Sequence, residues 1–269
     1  MAKLKSVLDF TGRLGTISAY KRKDIDGIIL RAPGGASREK IKNSPSFERT
    51  REINKEFGGR SRASGLIMQA MWPLKPLADY NIAGPLNKLI KPLQELDTVN
   101  LKGKRDIFFT KAPGLLEGFQ FNKKNPFDSI VRSQVSFTLD REQLSAAVSI
   151  PKLVPGINFV VPPVNYPLFS LVVRVNPVPN LSLKGARYET VNDEFKKLSM
   201  IEPETPWYPV QKGSDAVVFE NILEAADPGI LKDDFVLVMG IGIRFGTIGP
   251  DGEVQQVKYA GAAKILAVR

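Results

Sequence analysis

The sequence predicts an α+β chain: an N-terminal β-hairpin and a small helical unit, followed by an antiparallel β-sandwich of one or two immunoglobulin-like modules. Three observations lead there. Residues 1–105 carry 21 Lys/Arg against 10 Asp/Glu, whereas residues 106–269 carry 17 against 18, so the net charge of +10 lies in the first part. Apolar residues recur at helical spacing between Ser37 and Asp97 and at strand spacing after Asp106. Both changes fall near residue 105, which predicts a hairpin over 1–36, a basic helical unit over 37–105 and a sandwich over 106–269, dividing near 178 if it holds two modules.

The first element is a hairpin. Gly15–Lys21 and Ile25–Ala32 read as short strands around a turn, with Asp26-Gly27 at the start of the second stretch supplying turn residues and Pro33-Gly34-Gly35 closing the piece. Two strands alone are marginally stable, so the hairpin is expected to pair onto a sheet edge, in this chain or in a neighbour.

Helical spacing follows. Ser44-Pro45 reads as an N-cap with Pro in the first turn, and Phe47, Thr50, Ile53 and Phe57 mark a helix that Gly58-Gly59 is expected to end. A second helix is expected over Ser61–Trp72, up to Pro73. A third is marked by Leu86, Leu89, Ile90, Leu93 and Leu96, bent or shortened by Pro92.

The remainder reads as strands: Ile107–Thr110, Ser133–Leu139, Ala146–Ile150, Phe169–Val175, Ala186–Thr190, Ala216–Phe219, Phe235–Phe245, and a closing pair Val254–Tyr259 and Ala263–Val268. Gly249-Pro250-Asp251-Gly252 is the turn of a terminal hairpin. Pro155-Gly156-Ile157 and Pro228-Gly229-Ile230 each precede a hydrophobic strand. This echo is either a duplicated module or ordinary turn chemistry.

Composition excludes much chemistry. The 269 residues, 43% hydrophobic and 25% charged, suffice for a sizeable core, and they include no Cys and no His. Thiolate catalysis, disulfides, imidazole bases and His-bearing metal sites are therefore impossible. No apolar run approaches membrane-spanning length and no signal peptide is evident, so a cytoplasmic chain at synthesis is expected, its final location open.

Few motifs carry chemistry. Ser37-Arg38-Glu39-Lys40 matches the Ser-x-x-Lys of serine acyltransferases, but the other signature elements of that class have no match and a Ser capping a helix start is the usual reading of such a stretch. Gly240-Ile241-Gly242-Ile243-Arg244-Phe245-Gly246 has neither nucleotide-binding spacing and reads as a strand whose glycines admit a close neighbour. Glu202, Glu204, Trp207 and Tyr208 combine carboxylates with aromatics, the composition of a carbohydrate site or of a rigid Pro-rich loop. Asp227, Asp233 and Asp234 lack calcium-loop spacing, and Asn180-Leu181-Ser182 is a glycosylation sequon. The bases Arg38, Lys40, Lys42, Arg49, Arg51, Arg60 and Arg62 form a candidate partner-binding strip, for phosphates or for an acidic protein face.

Two stretches, Gly12-Arg13-Leu14-Gly15-Thr16-Ile17-Ser18-Ala19-Tyr20 and Lys42-Asn43-Ser44-Pro45-Ser46-Phe47-Glu48-Arg49-Thr50-Arg51 with Asn54, Glu56 and Phe57-Gly58-Gly59, resemble a group of uncharacterised Bacteroidetes proteins. That group opens on a Gly-x-Leu-Gly hairpin, continues with a basic helical segment and ends β-rich, in a strand similar to Gly242-Ile243-Arg244-Phe245. The resemblance implies a bacterial origin and no catalytic residues.

The expectation from sequence is a non-enzymatic structural or interaction protein, without cofactor or metal, whose partner is a protein: its own copies or a larger assembly. Nucleic-acid binding through residues 38–62 is the alternative, and carbohydrate binding the third.

Overall fold

The computed structural model describes residues 2–4, 10–22, 25–32, 34–72, 74–161, 166–198, 203–220 and 232–269. They form two compact units, Met1–Arg51 and Glu52–Arg269.

The first unit is a four-stranded antiparallel sheet: β1 (Ala2–Leu4), β2 (Gly12–Leu14), β3 (Ile17–Arg22) and β4 (Ile25–Arg31), in the order β1-β4-β3-β2. The predicted hairpin is β3–β4, and its two outer neighbours come from the same chain. Asp26-Gly27 lies inside β4, where the register jumps between the pairs Lys21–Ile28 and Arg22–Ile25. This is a bulge, and Gly27 at φ +93° takes a conformation glycine adopts cheaply. The short helix α1 (Arg38–Asn43) follows, its N-cap Ser37 accepting the Lys40 N–H at 3.1 Å.

Helix α2 (Glu48–Ala70) begins at the end of this unit and runs unbroken through Gly58-Gly59, where sequence placed a stop. The predicted second helix, Ser61–Trp72, is its continuation. The glycine serves packing: a Cβ on Gly59 would stand 2.6 Å from Cζ of Tyr188. Helix α3 (Ala83–Glu95) buries Leu86, Ile90 and Leu93, contains Pro92 on its exposed side, and ends three residues later.

Strands fill most of the rest: after a single turn, α4 (Phe127–Ile130), come β5 (Ser136–Asp140), β6 (Ser145–Ile150), β7 (Leu168–Pro179), β8 (Leu181–Lys184), β9 (Arg187–Thr190), β10 (Tyr208–Pro209), β11 (Val217–Phe219), β12 (Phe235–Ile248) and β13 (Val254–Val268). The central sheet has the order β10-β7-β12-β13, a second sheet β11-β6-β5, and β8–β9 is a separate hairpin. Ile107 makes only a bridge to Leu181, and residues 109–111 form a 3-10 turn in place of the expected strand. The closing pair is one strand, β13, pairing along β12 rather than folding on itself. Its break is a bulge, with Tyr259 at φ +59° and Gly261 at +128°.

The central sheet is buried on both faces, which explains the near-continuous hydrophobic run of β12. Leu237, Met239, Ile241, Ile243 and Phe245 pack with Val148 and Ile150 of β6 and with Phe127 and Phe159. Val236 and Val238 face the opposite core, built on Ile67, Met71, Leu74, Leu77, Leu86 and Ile90. Gly240 and Gly242 continue that face and admit Leu74: a Cβ on either would come within 2.7 Å of its methyl groups. The helical segment from Glu52 and the β region thus share one core, and residue 105 lies within the second unit. β7 and β12, the strands that suggested two modules, are paired neighbours of one sheet, while Pro228-Gly229-Ile230 lies outside the described residues.

Both edges of this sheet are covered. Residues 203–205 hydrogen-bond β7 (Val173 N–H to Pro203 O, 3.1 Å; Thr205 N–H to Leu171 O, 2.9 Å). Residues 118–121 do the same for β13 (Gly118 N–H to Ile265 O, 2.9 Å; Phe121 N–H to Ala263 O, 2.8 Å). Among the described residues no helix is long and apolar enough to cross a membrane.

Candidate functional site

The seven candidate bases do not form one strip. Arg38, Lys40 and Lys42 are exposed on α1, and Arg49 is exposed on the first turn of α2. Arg51 is spent internally, donating to the carbonyls of Ile41 (2.9 Å) and Ser44 (2.7 Å) and so tying α1 to the start of α2. Arg60 is buried, donating to Gln94 Oε1 at 3.1 Å. Arg62 is exposed in the second unit.

Arg60 belongs to a buried polar network that sequence reading missed. Glu56 accepts two hydrogen bonds from Arg105, both 2.7 Å, and one from the Gly103 N–H at 2.9 Å. The Arg105 guanidinium holds the Glu56 carboxyl below its ordinary range, overcoming burial, with Gly103 assisting. The Tyr188 hydroxyl donates to Arg105 O at 2.7 Å and accepts from Gln94 Nε2 at 3.1 Å; burial first, then the Glu56 charge, pushes it up to about 12. Asp97 closes the loop after α3. Burial opposes its charge, yet hydrogen bonds from the Asn100 side chain and from the N–H groups of Asp106, Asn100 and Val99 prevail and lower it to about 2. Each of these charges has a structural partner, the arrangement that pins helices and loops together.

The carboxylate–aromatic group is divided between the two faces of the central sheet. Glu202 lies outside the described residues. Glu204 pairs with Arg244 of β12 at 2.9 Å, and that guanidinium lies 4.8 Å from the centroid of the Trp207 ring. Trp207 also overlies Gly246, whose missing Cβ makes the room. Tyr208 packs on the other core, 5.6 Å from Phe169. Glu204 and Trp207 are thereby occupied in fastening residues 203–209 to the sheet.

The remaining motifs resolve locally. Ser37 caps α1. Asn180 of the sequon is buried, its amide donating to Thr110 Oγ1 (3.0 Å) and Asp233 O (3.1 Å). Asp227 lies outside the described residues; Asp233 is 3.8 Å from Arg141, and Asp234 accepts from Asn192. Among the described residues no three acidic groups cluster to hold a metal.

One concavity gathers three cationic side chains, Lys55, Arg62 and Arg187, that make no hydrogen bond or ion pair among the described residues. A pocket of about 630 Å³ lies between α2 and the β8–β9 hairpin, lined by Asn54, Lys55, Gly58 and Arg62 on one side and Leu183, Arg187, Tyr188 and Glu189 among those opposite. Of these, sequence had offered Arg62 alone as a site residue, because the hairpin reaches α2 from far along the chain.

Comparison with family models, curated proteins and solved structures finds no match to this chain.

Proposed function

We propose that the protein is a non-enzymatic interaction protein that assembles with copies of itself through its N-terminal sheet. The observation carrying this reading is the outer end of β2–β3, where Leu14 and Ile17, paired across the Gly15-Thr16 turn, are 69% and 44% exposed. Apolar side chains gain by leaving water, and β2, three residues long, ends the sheet among the described residues. With the hairpin's flanks filled by β1 and β2, side-chain contact rather than strand exchange is the mode of association. The unit also carries charge: residues 1–51 hold 12 Lys/Arg against 5 Asp/Glu. Contact between identical units therefore strengthens as salt rises and screens their repulsion. Light scattering over a wide concentration range, with Leu14→Asp as comparison, tests the proposal.

A second reading, nucleic-acid binding, draws on the three exposed bases of the six-residue α1, Arg38, Lys40 and Lys42. Titration with generic single and double strands at low salt tests it; no binding there removes it.

A further inference from the structure

We infer that the pocket between α2 and β8–β9 binds a small molecule bearing a phosphate group. Lys55 and Arg62 stand seven residues apart on one flank of α2, about 10 Å along its axis, and Gly58 lies between them. Nothing would lie within 4 Å of a Cβ on Gly58, so the helix backbone forms an open floor between the two cations. Arg187 lines the same opening from the β9 side. The side chains of Lys55, Arg62 and Arg187 make no hydrogen bond or ion pair among the described residues, unlike Arg51, Arg60, Arg105 and Arg244.

Three unpaired cations facing one carboxylate, Glu189, leave an excess of two positive charges, matching a phosphate monoester dianion. Guanidinium forks suit its tetrahedral oxygens, and the ammonium adds a movable third donor. The rest of the lining suits the remainder of a small ligand: Leu183 and the Tyr188 ring offer apolar surface, while Asn54 and Glu189 offer polar contacts. The volume lies in the range of small-molecule sites. Glu189 also argues against a polyanion, because a continuing phosphate chain would meet its charge. Tyr188 is a fixed wall, its hydroxyl already engaged by Arg105 and Gln94.

Isothermal titration of the full chain with inorganic phosphate and with pyrophosphate, at low and at moderate salt, tests the site. One saturable site is expected, weakened about tenfold by Arg62→Gln or by Arg187→Gln and unchanged by Arg38→Gln. Both substituted side chains are exposed, so the fold is retained, which circular dichroism checks. Absence of saturable binding at low salt overturns the proposal. Equal weakening by Arg38→Gln, the mark of diffuse charge attraction, does so too, as does binding of generic oligonucleotides without binding of either phosphate probe.

Discussion

A methyl group at Gly59 would stand 2.6 Å from a tyrosine ring that cannot swing away, because its hydroxyl is held by Arg105 and Gln94. Gly59→Ala is expected to destabilise the protein by about 1–3 kcal/mol through overpacking. The neighbouring Gly58→Ala, with open space around it, should stabilise by about 0.5–1 kcal/mol, the helix-propensity difference. Denaturant unfolding of the pair reads both signs. At Asp97, the folded carboxyl titrates near 2 against 3.8 for the free group. A depressed folded value means stability that is present above pH 3.8 and lost as pH falls toward 2, on the order of 2 kcal/mol. Asp97→Asn should remove that part of the acid slope, and unfolding free energies measured between pH 5 and pH 2 check it.

Among the elements, α2 is tied to the loop that follows α3 by the Glu56–Arg105 ion pair and by the Gly103 N–H that donates to the same carboxylate. Glu56 and Arg105 are both nearly buried, and replacing one partner leaves the other uncompensated. Glu56→Gln should cost about 3 kcal/mol in chemical unfolding; a cost below 1 kcal/mol, typical of a surface pair, would contradict this account. The same element shows where sequence reading succeeds and where it stops. A helix does follow Ser44-Pro45, but the residues taken as its apolar stripe, Phe47, Thr50, Ile53 and Phe57, are not its buried face: Phe47 lies in the 3-10 turn before α2, Ile53 and Phe57 are exposed, and Glu56, Gly59, Arg60, Ala63 and Ile67 are buried instead. The stop at Gly58-Gly59 was local reasoning about a residue whose role is set by Tyr188, well over 100 positions later. In β12 the pattern was more legible: glycines at alternate positions of an otherwise bulky strand signalled a close neighbour, and Leu74 is that neighbour. The long strand β13 was cut in two by Gly261, because a bulge and a turn use the same residue types.

For the whole molecule, the α+β class and the β-rich C-terminal half follow directly from periodicity. The boundary expected at residue 105 rested on the charge balance, which records what faces water and not what is buried, and on the switch from helical to strand periodicity, which marks a change of element and not of core. Ile67, Met71, Leu86 and Ile90 share a core with Val236, Val238 and Ile265, so the helices from Glu52 onward fold with the sheet. The basic excess is concentrated in residues 1–51, the unit that also exposes Leu14 and Ile17. Self-association through that unit is the central claim, and static light scattering of the full chain over a hundredfold range of concentration tests it most directly. The account predicts a mass that rises above that of one chain with concentration, more readily at higher salt, and that returns to one chain in Leu14→Asp. The mass of a single chain at every concentration and salt would contradict it.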